Sequence, residues 1–157
     1  MSTQQYVFQV TDKTRSQDIP GLTAKTADEL CTGLLAKINT GADVGTVSVA
    51  TASDKPAGFV EDRRTLLYRP TDIYAAAGEY VNIMAGHVLA RVSAEYFIGD
   101  TLPSAGADLY SAAGGKMDTS GTNAIGKVLT TGDAVRWPPN TTKSVVLVAC
   151  HFGGKDI

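Results

Sequence analysis

Charge is sparse in this 157-residue chain, and no basic block occurs. Lys and Arg number 14 against 16 Asp and Glu, so charged residues make up 19% and the formal net charge is -2. With no basic block, nucleic acid is not an expected partner. Long apolar runs are also missing, which argues against a membrane-spanning helix. The opening MSTQQYVFQV has neither a basic n-region nor an apolar h-region, so no secretory signal is expected there. Asn140-Thr141-Thr142 matches a glycosylation sequon and, in that setting, reads as a turn. Only two cysteines occur, Cys31 and Cys150, without C-x-x-C or metal-ligand spacing. Both are expected to be small buried hydrophobes. Only two histidines occur. His151 follows Cys150, but neighbours on a strand point to opposite faces, so the two cannot form a dyad. His87 has no acid or second His near it in sequence, and both histidines read as structural or surface residues.

What the chain does have is hydrophobic content, 43%, and 16 glycines. That is the make-up of a globular chain rather than a disordered one, and the length suits one domain. One Gly-rich stretch imitates a phosphate site. Gly121-Thr-Asn-Ala-Ile-Gly126-Lys127 has the G-x-x-x-x-G-K spacing of a P-loop. The next residue is Val128, where the magnesium-binding hydroxyl would be required. The flanks, KMDTSG and KVLTTGD, do not form the strand and helix that aim backbone N–H groups at phosphate. The expectation is therefore a turn at Gly121 and a strand from Ala124 to Thr130.

Along the chain, QYVFQV is a strand candidate with Tyr6, Phe8 and Val10 on one side. A polar stretch without periodicity follows, and residues 1–22 read as an extended N-terminal arm. Thr26-Ala-Asp-Glu29 has the pattern of a capping box, and Leu30, Leu34, Leu35 and Ile38 fall at helical spacing. This predicts one short α-helix near 27–39, stopped by Asn39 and Gly41. Thereafter short β segments alternate with Gly-marked turns: TVSVAT, GFV, TLLYRP, then EYVNIMAGHVLARVSAEYFIGDTL with turns at Ala85-Gly86 and Gly99-Asp100, and finally KSVVLVACHF. The expected fold is mainly β, a small barrel or sandwich spanning 23–157 as a single domain.

The run of GD-x-L, DLY, GKM, AIGKVL and a terminal VVLVACHF resembles the β-rich capsid decoration, or cement, proteins of tailed bacteriophages. The resemblance extends from Gly78 to Gly153, about half the chain. It implies a β-tulip-like fold and a structural role on the outer surface of a virion capsid, in a protein made in the host cytoplasm. It further implies a homotrimer that clamps the major capsid protein, with no cofactor, metal or catalytic residue. The helix-bearing first half does not match the bare β pattern.

Other classes fit parts of the sequence. A tail, fibre or baseplate component is the nearest alternative. A small trimeric β-barrel nucleotide hydrolase would use carboxylates, and Asp100, Asp108, Asp118 and Asp133 are present, all at turn positions where Asp bonds its own backbone. A lipoyl-type carrier would place a Lys at a hairpin tip, as GGKMD does, but its flanking signature is missing.

Candidate interface residues are Tyr6, Phe8 and Val10 of the arm, which would add a strand to an edge of a neighbouring subunit or the major capsid protein; the same segment also fits as the first strand of the chain's own barrel. Trp137 and Pro138, in VRWPPN, combine a residue type enriched at hot spots with a proline-fixed extended shape. Trp137 equally fits as a plug at one end of a barrel. Arg63 and Arg64, in VEDRRTLLYRP, read as a solvated face or as bidentate partners for capsid carboxylates.

Overall fold

The computed structural model describes residues 8–10, 21–61, 75–131, 135–137 and 141–152. A short β1 (Phe8–Val10) precedes five strands that close into a barrel: β2 (Gly21–Thr26), β3 (Leu35–Ile38), β4 (Thr46–Val49), β5 (Gly58–Glu61) and β6 (Tyr80–Met84). Their order round the barrel is β2-β4-β3-β5-β6. Only the β2–β4 pair is parallel. Five strands enclose a narrower space than the eight that just accommodate a filled interior, so small and β-branched side chains suit the lumen. Ala24, Ala36, Val47, Val60, Val81 and Ile83 occupy it, with Leu30 and Ala75 beside them. β5 and β6 approach so closely at Gly58 that a Cβ there would lie 1.9 Å from the Met84 carbonyl oxygen.

Period-two alternation sends the intervening side chains outward. Leu35, Phe59 and Met84 leave the barrel and enter a second core. That core is shared with a six-stranded antiparallel sheet. Its remaining strands are β7 (Gly86–Ser93), β8 (Asp108–Ser111), β9 (Met117–Asp118), β10 (Ala124–Thr131) and, after two short strands described below, β13 (Val145–Phe152). The order is β1-β7-β13-β10-β8-β9. Val88, Ala90 and Val92 of β7 face the same core as Val146, Val148 and Cys150 of β13. Phe59 stands between the layers, with its ring 4.8 Å from Phe8 and 5.0 Å from Phe152. The two remaining strands, β11 (Val135–Trp137) and β12 (Thr141–Lys143), form a separate hairpin.

The Ala85–Gly86 turn expected from the sequence is a corner. β6 ends at Met84 in the barrel and β7 begins at Gly86 in the sheet, and the two do not pair. Gly86 takes φ +76, which lets the chain pass directly from one layer to the other.

The helix expected near 27–39 does not form, and no α-helix occurs among the described residues. The segment is a turn followed by β3. Thr26 does bond locally, but its hydroxyl accepts from the Asp28 N–H and donates to the Asp28 carbonyl, an ST-turn geometry rather than a helix cap. Gly33 sits inside the supposed helix at φ +85, and a Cβ there would meet the Tyr96 ring at 2.7 Å. The supposed stripe is divided: Leu30 fills the barrel, Leu35 enters the second core, and Ile38 is 56% exposed.

The N-terminal arm also needs correction at Phe8. β1 pairs with the chain's own β7, Phe8 opposite Val92 and Val10 opposite Ala90. The Phe8 side chain is buried between Phe59 and Tyr96. The edge that β1 needs is supplied internally, so Phe8 is a core residue and not an external anchor.

Candidate functional site

The two faces of the six-stranded sheet differ in chemistry. The inner face is the aliphatic and aromatic core. The outer face carries His87, Leu89 and Arg91 of β7 beside His151, Ala149 and Leu147 of β13, each pair in direct register. Lys127 of β10 lies opposite Ala149, and its ammonium stands 3.4 Å from the Asp108 carboxylate. Leu129, at a bulge in β10, is 48% exposed. Leu89, Leu147 and Ala149 are partly buried, whereas His87 and Arg91 are exposed.

The near P-loop resolves into this sheet. Gly126 lies within β10, opposite Cys150 on one side and Leu109 on the other. A Cβ at Gly126 would fall 2.1 Å from the Ala149 carbonyl oxygen. Here Gly permits close approach of two strands, and the backbone belongs to a ladder rather than to a phosphate cradle. GGKMD is likewise a packing device. Gly114 and Gly115 take φ +69 and +74 in the turn between β8 and β9. The Gly115 N–H donates to the Ala50 carbonyl at 3.0 Å, docking the hairpin on the barrel.

The carboxylates considered for catalysis are engaged locally. Asp100 pairs with Lys116 at 3.2 Å, Asp108 with Lys127, and the Asp118 carboxylate accepts the Thr119 N–H at 2.7 Å. Asp133 lies outside the described residues. A shallow cleft of about 150 Å³ is lined by Phe97, Ile98, Thr101, Leu102, Pro103, Asp118 and Thr119. Glu95, nearly buried after β7, pairs with Lys143 of β12 at 2.5 Å, which ties the β11–β12 hairpin to the sheet.

Cys150 is buried as expected, and desolvation pushes its thiol up to about 12, far from thiolate chemistry. Cys31 is half-buried and lies in the turn before β3, not in a helix. His151 points away from Cys150, as strand geometry requires. Nothing beside either residue in the chain connects His151 with His87, 64 residues earlier. Strand register makes them direct cross-strand partners, with Nδ1 atoms 3.2 Å apart.

Of the other proposed interface residues, Trp137 lies on β11 opposite Thr141. Tyr6, Arg63, Arg64 and Pro138 lie outside the described residues. Among the described residues no helix is long and apolar enough to cross a membrane, and no group of three or more His, Cys, Asp or Glu side chains gathers as a metal-binding cluster. Comparisons with known protein families, curated proteins and solved structures find no match to this chain.

Proposed function

We propose that the protein is a structural virion component that binds the outside of a phage capsid and stabilises it, acting as a homotrimer on the major capsid protein. The observation that carries this reading is where the motifs resembling decoration proteins fall. GD-x-L begins at the turn after β7, DLY is β8, GKM leads into β9, AIGKVL is β10 and VVLVACHF is β13. DLY, the Met of GKM, AIGKVL and VVLVACHF thus lie in one sheet, and GD-x-L lies in the connection between β7 and β8. The β11–β12 hairpin, whose first strand includes Trp137, lies outside the six-stranded sheet and the barrel. Arg63 and Arg64, together with Trp137 and Pro138, are the residues assigned to capsid contact in this reading.

The test is co-sedimentation of the purified chain with isolated heads, alongside its solution mass by light scattering. A trimer that pellets with heads, and whose pelleting is weakened by Arg63→Ala combined with Arg64→Ala, is the expected result. Recovery of the chain on isolated tails, with none on heads, would replace decoration by the tail, fibre or baseplate reading. Magnesium-dependent hydrolysis of nucleoside triphosphates by the purified chain would instead favour the barrel hydrolase.

A further inference from the structure

We propose that His87 and His151 form a two-histidine chelate for a divalent transition-metal ion of the copper, nickel and zinc class. The pair sits on the outer face of β7 and β13, at directly opposed positions of an eight-residue antiparallel register running from Gly86 opposite Phe152 to Ser93 opposite Val145. The imidazole centroids are 4.1 Å apart with the rings inclined at 44°, and the two Nδ1 atoms face each other at 3.2 Å. With metal–nitrogen bonds of about 2.0–2.1 Å, nitrogens at that separation subtend roughly 100–106° at a shared ion, close to the tetrahedral angle.

The surroundings select the ligating atom. Nε2 of His151 is buried and has no hydrogen-bond partner among the described residues. An ion arriving from solvent therefore meets Nδ1 of His151, which faces the exposed His87 ring. Without metal, the two Nδ1 atoms satisfy each other as one donor and one acceptor. With metal, both lone pairs turn to the ion. Because the ligands stand on paired strands rather than on a loop, little order is lost on binding.

The same geometry limits the ion's identity and affinity. Among the described residues no third His, Cys, Asp or Glu completes the set. Water then fills the remaining positions, and binding is weaker than at a closed structural zinc site. Two imidazoles without carboxylates favour copper, nickel and zinc, and disfavour magnesium and calcium, which prefer oxygen. An ion held this way cross-links the central strands β7 and β13 on their outer face. The inference stands on the register and ring geometry alone and does not depend on the virion reading.

The experiment is titration of the tag-free full chain with Cu²⁺, Ni²⁺, Zn²⁺ and Mg²⁺ by calorimetry, repeated on His87→Asn. His87 is exposed, so the variant keeps the core intact. One ion of the first three per chain is expected, with no Mg²⁺ uptake and a loss of affinity of about tenfold or more in His87→Asn. The electron paramagnetic spectrum of the Cu²⁺ form should show coupling to two imidazole nitrogens, and to one in the variant. Wild-type chain that takes up none of the three ions at millimolar concentration would overturn the proposal. So would equal affinity in His87→Asn, or a Cu²⁺ spectrum without imidazole coupling.

Discussion

A single Cβ separates tolerated from untolerated change at several glycines, and for two different reasons. At Gly126 the obstacle is space, because the added carbon would lie 2.1 Å from the Ala149 oxygen and 2.8 Å from the Cys150 Cα. Both are backbone atoms of the paired strand, so β10 and β13 would have to part. At Gly45 nothing lies within 4 Å, but φ is +87. The cost there is conformational only. Gly126→Ala should therefore destabilise by about 3 kcal/mol or more, as severe overpacking does, and Gly45→Ala by about 1–2 kcal/mol. Urea unfolding of the two variants checks the order, and a Gly126→Ala midpoint above that of Gly45→Ala would contradict it. Asp54 supplies a residue-scale test in pH. Slight burial pushes its carboxyl up, but the Thr51 hydroxyl at 2.7 Å, the Thr51 N–H at 2.8 Å and the Lys37 ammonium at 3.3 Å together hold it below its ordinary 3.8. A folded-state value below the unfolded one contributes stability above pH 3.8 that is lost as pH falls through the folded value. Thr51→Ala removes the hydroxyl but keeps the N–H, so Asp54 should titrate closer to 3.8, as followed by NMR. An unchanged midpoint would show that the hydroxyl contributes nothing.

Among the elements, β1 is the sharpest case. Three residues are too few to hold as an isolated strand, yet β1 completes one edge of the sheet on β7 and inserts Phe8 between Phe59 and Tyr96. Truncating a buried Phe to Ala costs about 3–5 kcal/mol, and in a domain of this size each kcal/mol lowers the melting temperature by about 2–4 °C. Phe8→Ala should accordingly melt about 6–20 °C below the wild type. A melting temperature within a degree of wild type would return Phe8 to the role of an external anchor. The segment between β2 and β3 teaches the complementary lesson. Its leucines recur at helical spacing, but spacing alone does not say that one surface receives them all. Here Leu30 and Leu35 enter different cores on opposite sides of the barrel wall. Gly33 was the local sign against a helix, since its φ of +85 interrupts any helical run.

At the scale of the whole molecule, barrel and sheet share structure in two ways. The chain crosses from β6 to β7 within two residues, and Leu35, Phe59 and Met84 of the barrel are members of the sheet's core. Unfolding the barrel alone would expose the sheet's inner face, so neither layer has a reason to melt first. A single calorimetric transition is expected, with calorimetric and van't Hoff enthalpies equal. Two resolved transitions would mean that the layers are energetically separate.

Local chemistry in the sequence determined much of this protein. Gly-marked turns and β-branched runs announced a mainly β chain, and the strand from Ala124 to Thr130 was legible because AIGKVLTT lacks any helical context. Alternation alone placed Cys150 and His151 on opposite faces. Tertiary structure decided the rest, because the deciding contacts join residues far apart in the chain. Whether Ala85–Gly86 reverses the strand or carries it to another sheet depends on which edges are already paired. Whether Phe8 meets its own core depends on Phe59 and Tyr96. The meeting of His87 with His151 depends on the register of β7 against β13, and a shift of one residue would turn the two rings to opposite faces.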